Sequence, residues 1–321
     1  MSLLKRVLLT DPIAPEGEEL LARSAEVIRA PDAGAETLRR LARDADGVIV
    51  RSKLPDDIFA AAPRLRAVLV HGTGTDIVPL ADATARGVMV ANLPGGNAQS
   101  VAEYCVMAML MLARNVVAIT SSLRSSGWDP ARALGAHAHE IAGMMLGIVG
   151  VGEIGSRVAK IARHGFGMRV LGHQRHLERL PAEVQPAALD ELVAQSDFVV
   201  VTCPLTPQTR YLFDAARIAR MKPTAWLINV GRGAVVQETA LVEALAQKRI
   251  AGAMLDVYEH FQLTPGHALL ELDNVILMPH LAGMTLECNA RMARAAAGEM
   301  LRMLAGETPH NFVNPQCEPH S

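Results

Sequence analysis

Three glycines, Gly150, Gly152 and Gly155, stand at GxGxxG spacing in the run GIVGVGEIGSRVAKIAR. Each has a steric task in a phosphate-binding turn: a tight bend, close backbone approach to a pyrophosphate, and a helix packed hard against a strand. The pattern alone is weak. Here the apolar strand MMLGIV enters it and the amphipathic helix EIGSRVAKIAR leaves it, so helix amides and dipole would face the phosphates. The chemistry implied is dinucleotide binding. About 20 residues further on, such a unit usually carries a carboxylate that accepts hydrogen bonds from a free ribose 2′-hydroxyl. This chain has Gln174, Arg175 and His176 there. A guanidinium suits a 2′-phosphate, so the expected cofactor is NAD(P) with a tilt towards NADP. The alternative is a solvated Arg175, with Gln174 on the ribose of NAD.

The other residues that could do chemistry are scattered. Cys105, Cys203, Cys288 and Cys317 are far apart and no CxxC pair exists, so they read as reduced thiols. His137 with His139, and His173 with His176, lack nearby thiols or an HExxH arrangement; no metal is expected. Lys and Arg number 31 against 33 acidic residues, a net charge of −2, and no long basic run offers a nucleic-acid surface. The longest apolar run, Tyr104 to Ala113, has ten residues, against about 20 for a bilayer crossing. The start, MSLLKRVLLTDP, lacks a signal-peptide cleavage pattern, which suggests a cytoplasmic protein.

The elements that must position the turn alternate between strand and helix. KRVLLT, EGEELLARSAE, EVIRA, ETLRRLARDA, GVIVRS, DDIFAAA and LRAVLVHG form a first series that ends with VMVANLPGG at 88–96. Continuous apolar strands between helices are what a parallel sheet covered on both faces requires. Residues 99–126 contain no Gly or Pro and read as one long helix. A second series then supplies strands at 144–149, 168–173, 198–203, 225–230, 251–257 and 274–279, and a last helix spans 285–305. With 321 residues, of which 50% are hydrophobic, the chain suffices for two domains. Aromatics are only 3%, so aliphatics and 15 Met must fill the core, and VMAMLMLA at 106–113 reads as core filler.

HGTGTD (71–76), LPGGNAQSVAEY (93–104), the GVGEIG turn, TCPLTPQTRYL (202–212), INVGRGAVV (228–236), AGAMLDVYE (251–259) and NVILMPHLAG (274–283) together resemble, in order and spacing, segments of the D-isomer-specific 2-hydroxyacid dehydrogenase family. The resemblance implies two doubly wound parallel-sheet α/β domains. A Rossmann cofactor domain, 98–285, would be inserted in a flavodoxin-like substrate domain, 1–97 plus 286–321. It also implies hydride transfer between NAD(P)H and a small 2-keto or D-2-hydroxy acid, such as glyoxylate or hydroxypyruvate, in a cleft between domains. Arg232 matches the family arginine that grips the carboxylate and carbonyl oxygens, and His280 the family acid/base. Amides of Thr73 and Gly74 match the loop that holds the substrate carboxylate, with Ser52 a weaker candidate for the same pocket. Glu153 and Ile154 match the residues whose amides meet the pyrophosphate. Cys203, Pro204 and Thr209 would line the adenosine side and Val230 and Asp256 the nicotinamide side, with Gly283 a further cofactor-binding residue. Asp256 could instead act as a cap; the carboxamide contact is the favoured reading. The long apolar helix from Ser100, with Met107, Met109 and Met111, could bury a face in a homodimer. The family also includes corepressors that use this scaffold for partner recognition, so a dinucleotide-sensing protein without turnover is the competing reading.

One position departs from the family pattern. A glutamate five residues after the strand-ending aspartate holds the family histidine and favours its imidazolium form. Here that position is Phe261, while DVYEHFQL keeps Glu259. If Phe261 replaces the partner, ketone reduction should fall off at lower pH than in relatives; a loop that swings Glu259 inward would restore the pairing.

Overall fold

The computed structural model describes residues 4–317; residues 1–3 and 318–321 of the expected substrate domain lie outside that range. Residues 4–97 with 284–317 form one compact unit, and residues 98–283 form a second. The chain therefore re-enters the first unit slightly before the 285/286 boundary read from sequence.

The first unit contains β1 (Lys5–Leu9), α1 (Pro15–Ala22), β2 (Ala25–Arg29), α2 (Ala35–Ala42), β3 (Gly47–Val50), α3 (Ile58–Ala61), β4 (Ala67–Val70), α4 (Leu80–Ala85) and β5 (Met89–Ala91). Its strands pair in parallel in the order β2-β1-β3-β4-β5, the flavodoxin-like arrangement. Every residue of β3 and β4 is buried, as a sheet with helices on both faces demands. The long helix Leu286–Leu304 returns to this unit and packs on α1. A Cβ on Gly17 would lie 2.4 Å from the Ala293 carbonyl oxygen, so the two helices approach as closely as only glycine permits.

The second unit contains α5 (Ala98–Ala113), α6 (Val116–Ser126), α7 (Trp128–Leu134), β6 (Met145–Val149), α8 (Glu153–Phe166), β7 (Arg169–His173), β8 (Gln185–Pro186), α9 (Leu189–Gln195), β9 (Phe198–Val201), α10 (Ala215–Ile218), β10 (Trp226–Asn229), α11 (Glu238–Ala246), β11 (Gly252–Leu255) and β12 (Val275–Leu277). The returning helix is thus α12. The seven strands are all parallel, in the order β12-β11-β10-β9-β6-β7-β8. Strand order reverses between β6 and β9, which makes that point the crevice of a dinucleotide-binding sheet.

The single helix expected over 99–126 is broken. Asn115 adopts left-handed backbone, φ 53°, and α5 and α6 meet at a bend of 53°. The His139 amide donates to the Ala113 carbonyl at 2.8 Å and the Asn115 amide to Leu112 at 3.2 Å, so the ladder ends there. Asn tolerates the left-handed region that terminates a helix. Among the described residues no single helix is long and apolar enough to cross a membrane.

Candidate active site

The chemistry-bearing residues of the second unit form a row along one edge of its sheet. Gly150 follows β6, Gln174 and Arg175 follow β7, Cys203 follows β9, Val230 and Arg232 follow β10, Asp256 follows β11, and His280 follows β12. These are the carboxyl ends of parallel strands, where open α/β sheets bind ligands.

At the phosphate turn, Gly150 has φ +95°, and a Cβ there would lie 2.6 Å from the Cys203 Cα. A Cβ on Gly155 would lie 2.5 Å from the Gly150 carbonyl oxygen, whereas one on Gly152 would meet nothing within 4 Å. Two glycines are thus demanded by packing, and Gly152 leaves open space before the N-terminus of α8, where Glu153 and Ile154 begin the helix. The cradle fits a dinucleotide pyrophosphate. Thr202 has a role here that sequence reasoning missed: its hydroxyl donates to the Gly150 carbonyl at 2.5 Å and ties the turn to β9. Cys203 is buried, and that burial pushes its thiol up to about 11, so it forms a wall and is no nucleophile. Thr209 accepts from the Thr206 amide at 2.7 Å and donates to the Pro204 carbonyl at 2.7 Å, which closes the 204–209 loop. At the tip of β7, the Gln174 side chain donates to the His176 carbonyl at 2.8 Å. Arg175 is exposed, and Glu178 stands 3.1 Å from the His176 ring, so the tip is mixed in charge.

Arg232 is held between two glycines, Gly231 and Gly233. A Cβ on Gly233 would fall 1.9 Å from the Tyr258 carbonyl carbon, so no other residue type lets this loop pass Tyr258. Arg232 Nη1 donates to the Gly231 carbonyl at 3.0 Å, and Asn229 Nδ2 donates to the Arg232 carbonyl at 3.1 Å. The Tyr258 hydroxyl reaches the Met278 carbonyl at 2.9 Å, just before His280. Tyr258 thereby links the loops that carry Arg232 and His280.

His280 has left-handed backbone, φ 57°, and its amide donates to the Asp256 carbonyl at 2.9 Å. The Asp256 side chain is 1% exposed and accepts the amides of Leu281 at 2.7 Å and Ala282 at 2.9 Å, and the Tyr104 hydroxyl at 3.2 Å. The carboxylate expected beside the carboxamide therefore holds the turn that presents His280 and runs on to Gly283. Burial raises the Asp256 pKa; the two amides and the neighbouring His280 charge oppose that rise. Burial also drives the Tyr104 hydroxyl far above its usual range, so it stays protonated as a donor.

Phe261 faces the His280 ring, with centroids 6.3 Å apart and planes at 69°. Glu259 points elsewhere: its carboxylate accepts the Tyr211 hydroxyl and the Glu238 amide.

In the first unit, Thr73 is exposed, and its carbonyl accepts Asn92 Nδ2 at 2.5 Å; Gly74 follows in the same loop. Ser52 donates to Asp11 at 3.0 Å. His71, at the start of that loop, has an enclosed Nε2 without a partner among the described residues. Burial, aided by the Arg51 charge, lowers its pKa to about 4, so the ring is neutral.

Residues 106–282 match the family described as D-isomer specific 2-hydroxyacid dehydrogenase, NAD binding domain. A glyoxylate reductase of Aeropyrum pernix is 38% identical, over 96% of either chain. Among solved structures, an NADPH-dependent glyoxylate/hydroxypyruvate reductase of Sinorhizobium meliloti, in complex with NADP and malonate, superposes with a TM-score of 0.86 at 30% identity over 99% of both chains. An NAD-dependent formate dehydrogenase of Staphylococcus aureus, in complex with NAD, gives a TM-score of 0.86 at 29% identity, over 97% of this chain and 99% of that one. With a parallel-sheet unit built for a dinucleotide and relatives matched along nearly its whole length, the chain belongs to the D-isomer specific 2-hydroxyacid dehydrogenase family and is an NAD(P)-dependent D-2-hydroxyacid dehydrogenase.

Proposed function

We propose that this enzyme reduces a small 2-keto acid, glyoxylate, hydroxypyruvate or a close analogue, to the D-2-hydroxy acid. The observation that carries the reading is the linkage of Arg232 and His280 through Tyr258, on the sheet edge that also bears the phosphate turn. A bound nicotinamide supplies the hydride. Arg232 meets the substrate carboxylate and carbonyl oxygens with a planar fork of donors and steadies the charge that grows on the carbonyl oxygen. His280 gives that oxygen a proton as C2 gains the hydride, and takes the proton back in the reverse direction. From the family resemblance, Thr73 and Gly74 would serve as substrate contacts through their amides, with Ser52 a weaker candidate.

Arg175 favours NADP by pairing with the 2′-phosphate, while Glu178 tempers that preference. For the homodimer, support comes from α5 and α6, where Met107, Leu110, Val116, Val117 and Leu123 are exposed although large and apolar; Met109 is buried in the core.

The test follows loss of the reduced-nicotinamide absorbance with glyoxylate and hydroxypyruvate, using NADH and NADPH in turn. Turnover that drops by about 100-fold in Arg232→Ala supports the clamp. Absence of turnover with every pairing overturns the reading. Arg175→Ala should weaken NADPH more than NADH, and sedimentation of the purified protein reads the oligomeric state.

A further inference from the structure

Tyr104 stands on α5, which packs along β10 and β11. Its ring joins the apolar cluster that holds Val101, Cys105, Ile228 and Met254, and this packing fixes the direction of the hydroxyl. The hydroxyl reaches the Asp256 carboxylate at 3.2 Å, across 152 positions of sequence.

The turn that carries His280 needs such an anchor. Its backbone lies at φ 57°, a strained region for a side-chain-bearing residue, so the conformation persists only through the bonds on either side. On one side the Tyr258 hydroxyl donates to the Met278 carbonyl; on the other, the Leu281 and Ala282 amides end on the Asp256 carboxylate. Both of those amides belong to the turn itself. Tyr104 lies outside it, and its bond ties the carboxylate to a helix of the core. The Leu281 amide and the Tyr104 hydroxyl share Oδ1 of Asp256, and the Ala282 amide takes Oδ2.

The ionisable groups that face Asp256 are Tyr104 and Cys105 on α5, Tyr258 beyond β11 and His280 beyond β12. Burial pushes the Tyr104 hydroxyl and the Cys105 thiol far up, and the Tyr258 hydroxyl up to about 12, so those three stay neutral. Burial also raises the Asp256 carboxyl, and the Tyr104 hydrogen bond is one of the contacts that oppose the rise. Without that bond the carboxyl takes up its proton at higher pH, and the protonated oxygen no longer accepts freely from the turn.

We propose that Tyr104 is a positioning residue for the reaction: through Asp256 it fixes the turn that presents the His280 imidazole. The inference rests on the reading of His280 as acid/base in keto acid reduction.

The experiment compares the wild type with Tyr104→Phe, which keeps the ring and its packing and removes only the hydroxyl. Reduction of glyoxylate and hydroxypyruvate is followed with NADH and NADPH. In the variant kcat should fall about tenfold, while the KM for the keto acid and the cofactor affinity, read by nicotinamide fluorescence, change by about twofold or less. The acid limb of the kcat profile should move up by about half a unit. An unchanged kcat with an unchanged acid limb overturns the inference and leaves the reaction standing, even where the melting temperature drops, because the hydroxyl then serves folding alone. A loss confined to cofactor affinity overturns it as well. Failure of the wild type to reduce either acid with either cofactor removes the reaction itself, and this inference with it.

Discussion

Glu238 and Glu259 exchange backbone hydrogen bonds: the Glu259 amide donates to the Glu238 carboxylate at 3.1 Å, and the Glu238 amide to the Glu259 carboxylate at 3.4 Å. His267 adds a third anchor, accepting the Leu269 amide on Nδ1 at 3.2 Å, so that its Nε2 proton faces Glu238 at 3.0 Å. The only carboxylate in the 258–263 loop is thereby turned towards α11. Glu259→Ala should lower unfolding free energy by about 1–3 kcal/mol in a urea titration, since it strands the Tyr211 hydroxyl and the Glu238 amide. The same variant should leave the alkaline limb of the reduction pH profile where it is; a displaced limb would mean that Glu259 does act on His280.

Placing a carboxylate at position 261 should have the opposite signature. Phe261→Glu sets an anion against the His280 ring, favours the imidazolium and raises its pKa. Reduction uses the protonated ring and fades as pH rises through that pKa, so the alkaline limb should move up by about one unit. A stationary limb would show that side chain 261 does not face the imidazole in solution.

Asp256 presents His280 through the amides of Leu281 and Ala282. Asn in its place keeps one acceptor oxygen and turns an NH2 group towards one of those amides. Asp256→Asn should cost about 1–3 kcal/mol of stability and lower kcat by about tenfold or more, with a smaller change in dinucleotide affinity. Unaltered kcat in a folded variant would confine Asp256 to a packing role.

The glycines of the phosphate turn separate folding from binding. Gly152→Ala adds a methyl to open space and should leave the melting temperature nearly unchanged while NAD(P)H affinity, read by nicotinamide fluorescence, falls about tenfold or more. Gly150→Ala forces a Cβ onto Cys203 at φ +95° and should yield little folded protein. Equal stability of the two variants would contradict the packing at Cys203.

His71 makes stability depend on pH. Its folded pKa of about 4 lies below the ordinary 6.5, so between those values the unfolded chain binds the proton and the folded chain does not. The contribution is complete above about 6.5 and shrinks as pH falls towards 4, by at most about 3 kcal/mol. Urea midpoints across that window should fall less steeply in His71→Gln than in the wild type; parallel curves would rule His71 out as the source.

Much of the fold was legible because parallel strands buried on both faces appear as continuous apolar runs: MMLGIV became β6, FVVVTC became β9, and the helix read over 285–305 is Leu286–Leu304. The phosphate turn was legible because its glycines answer to local sterics. What escaped depends on distant partners. The break at Asn115 needs the His139 amide on Ala113, and the duty of Asp256 needs Tyr104, which lies 152 positions away. Phe261 showed in sequence as a missing glutamate, but only the fold brings its ring to His280 while Glu259 is tied to Glu238.

Gly17 and Ala293, in contact across α1 and α12, come from segments on either side of the inserted unit. During synthesis on a ribosome, the amino-terminal sheet emerges long before the helix that covers Leu21 and Val7, and must wait for some 190 further residues. The inserted unit can mature meanwhile. Until the inserted unit has been made and α12 follows it, the apolar face around Val7 and Leu21 lacks its cover.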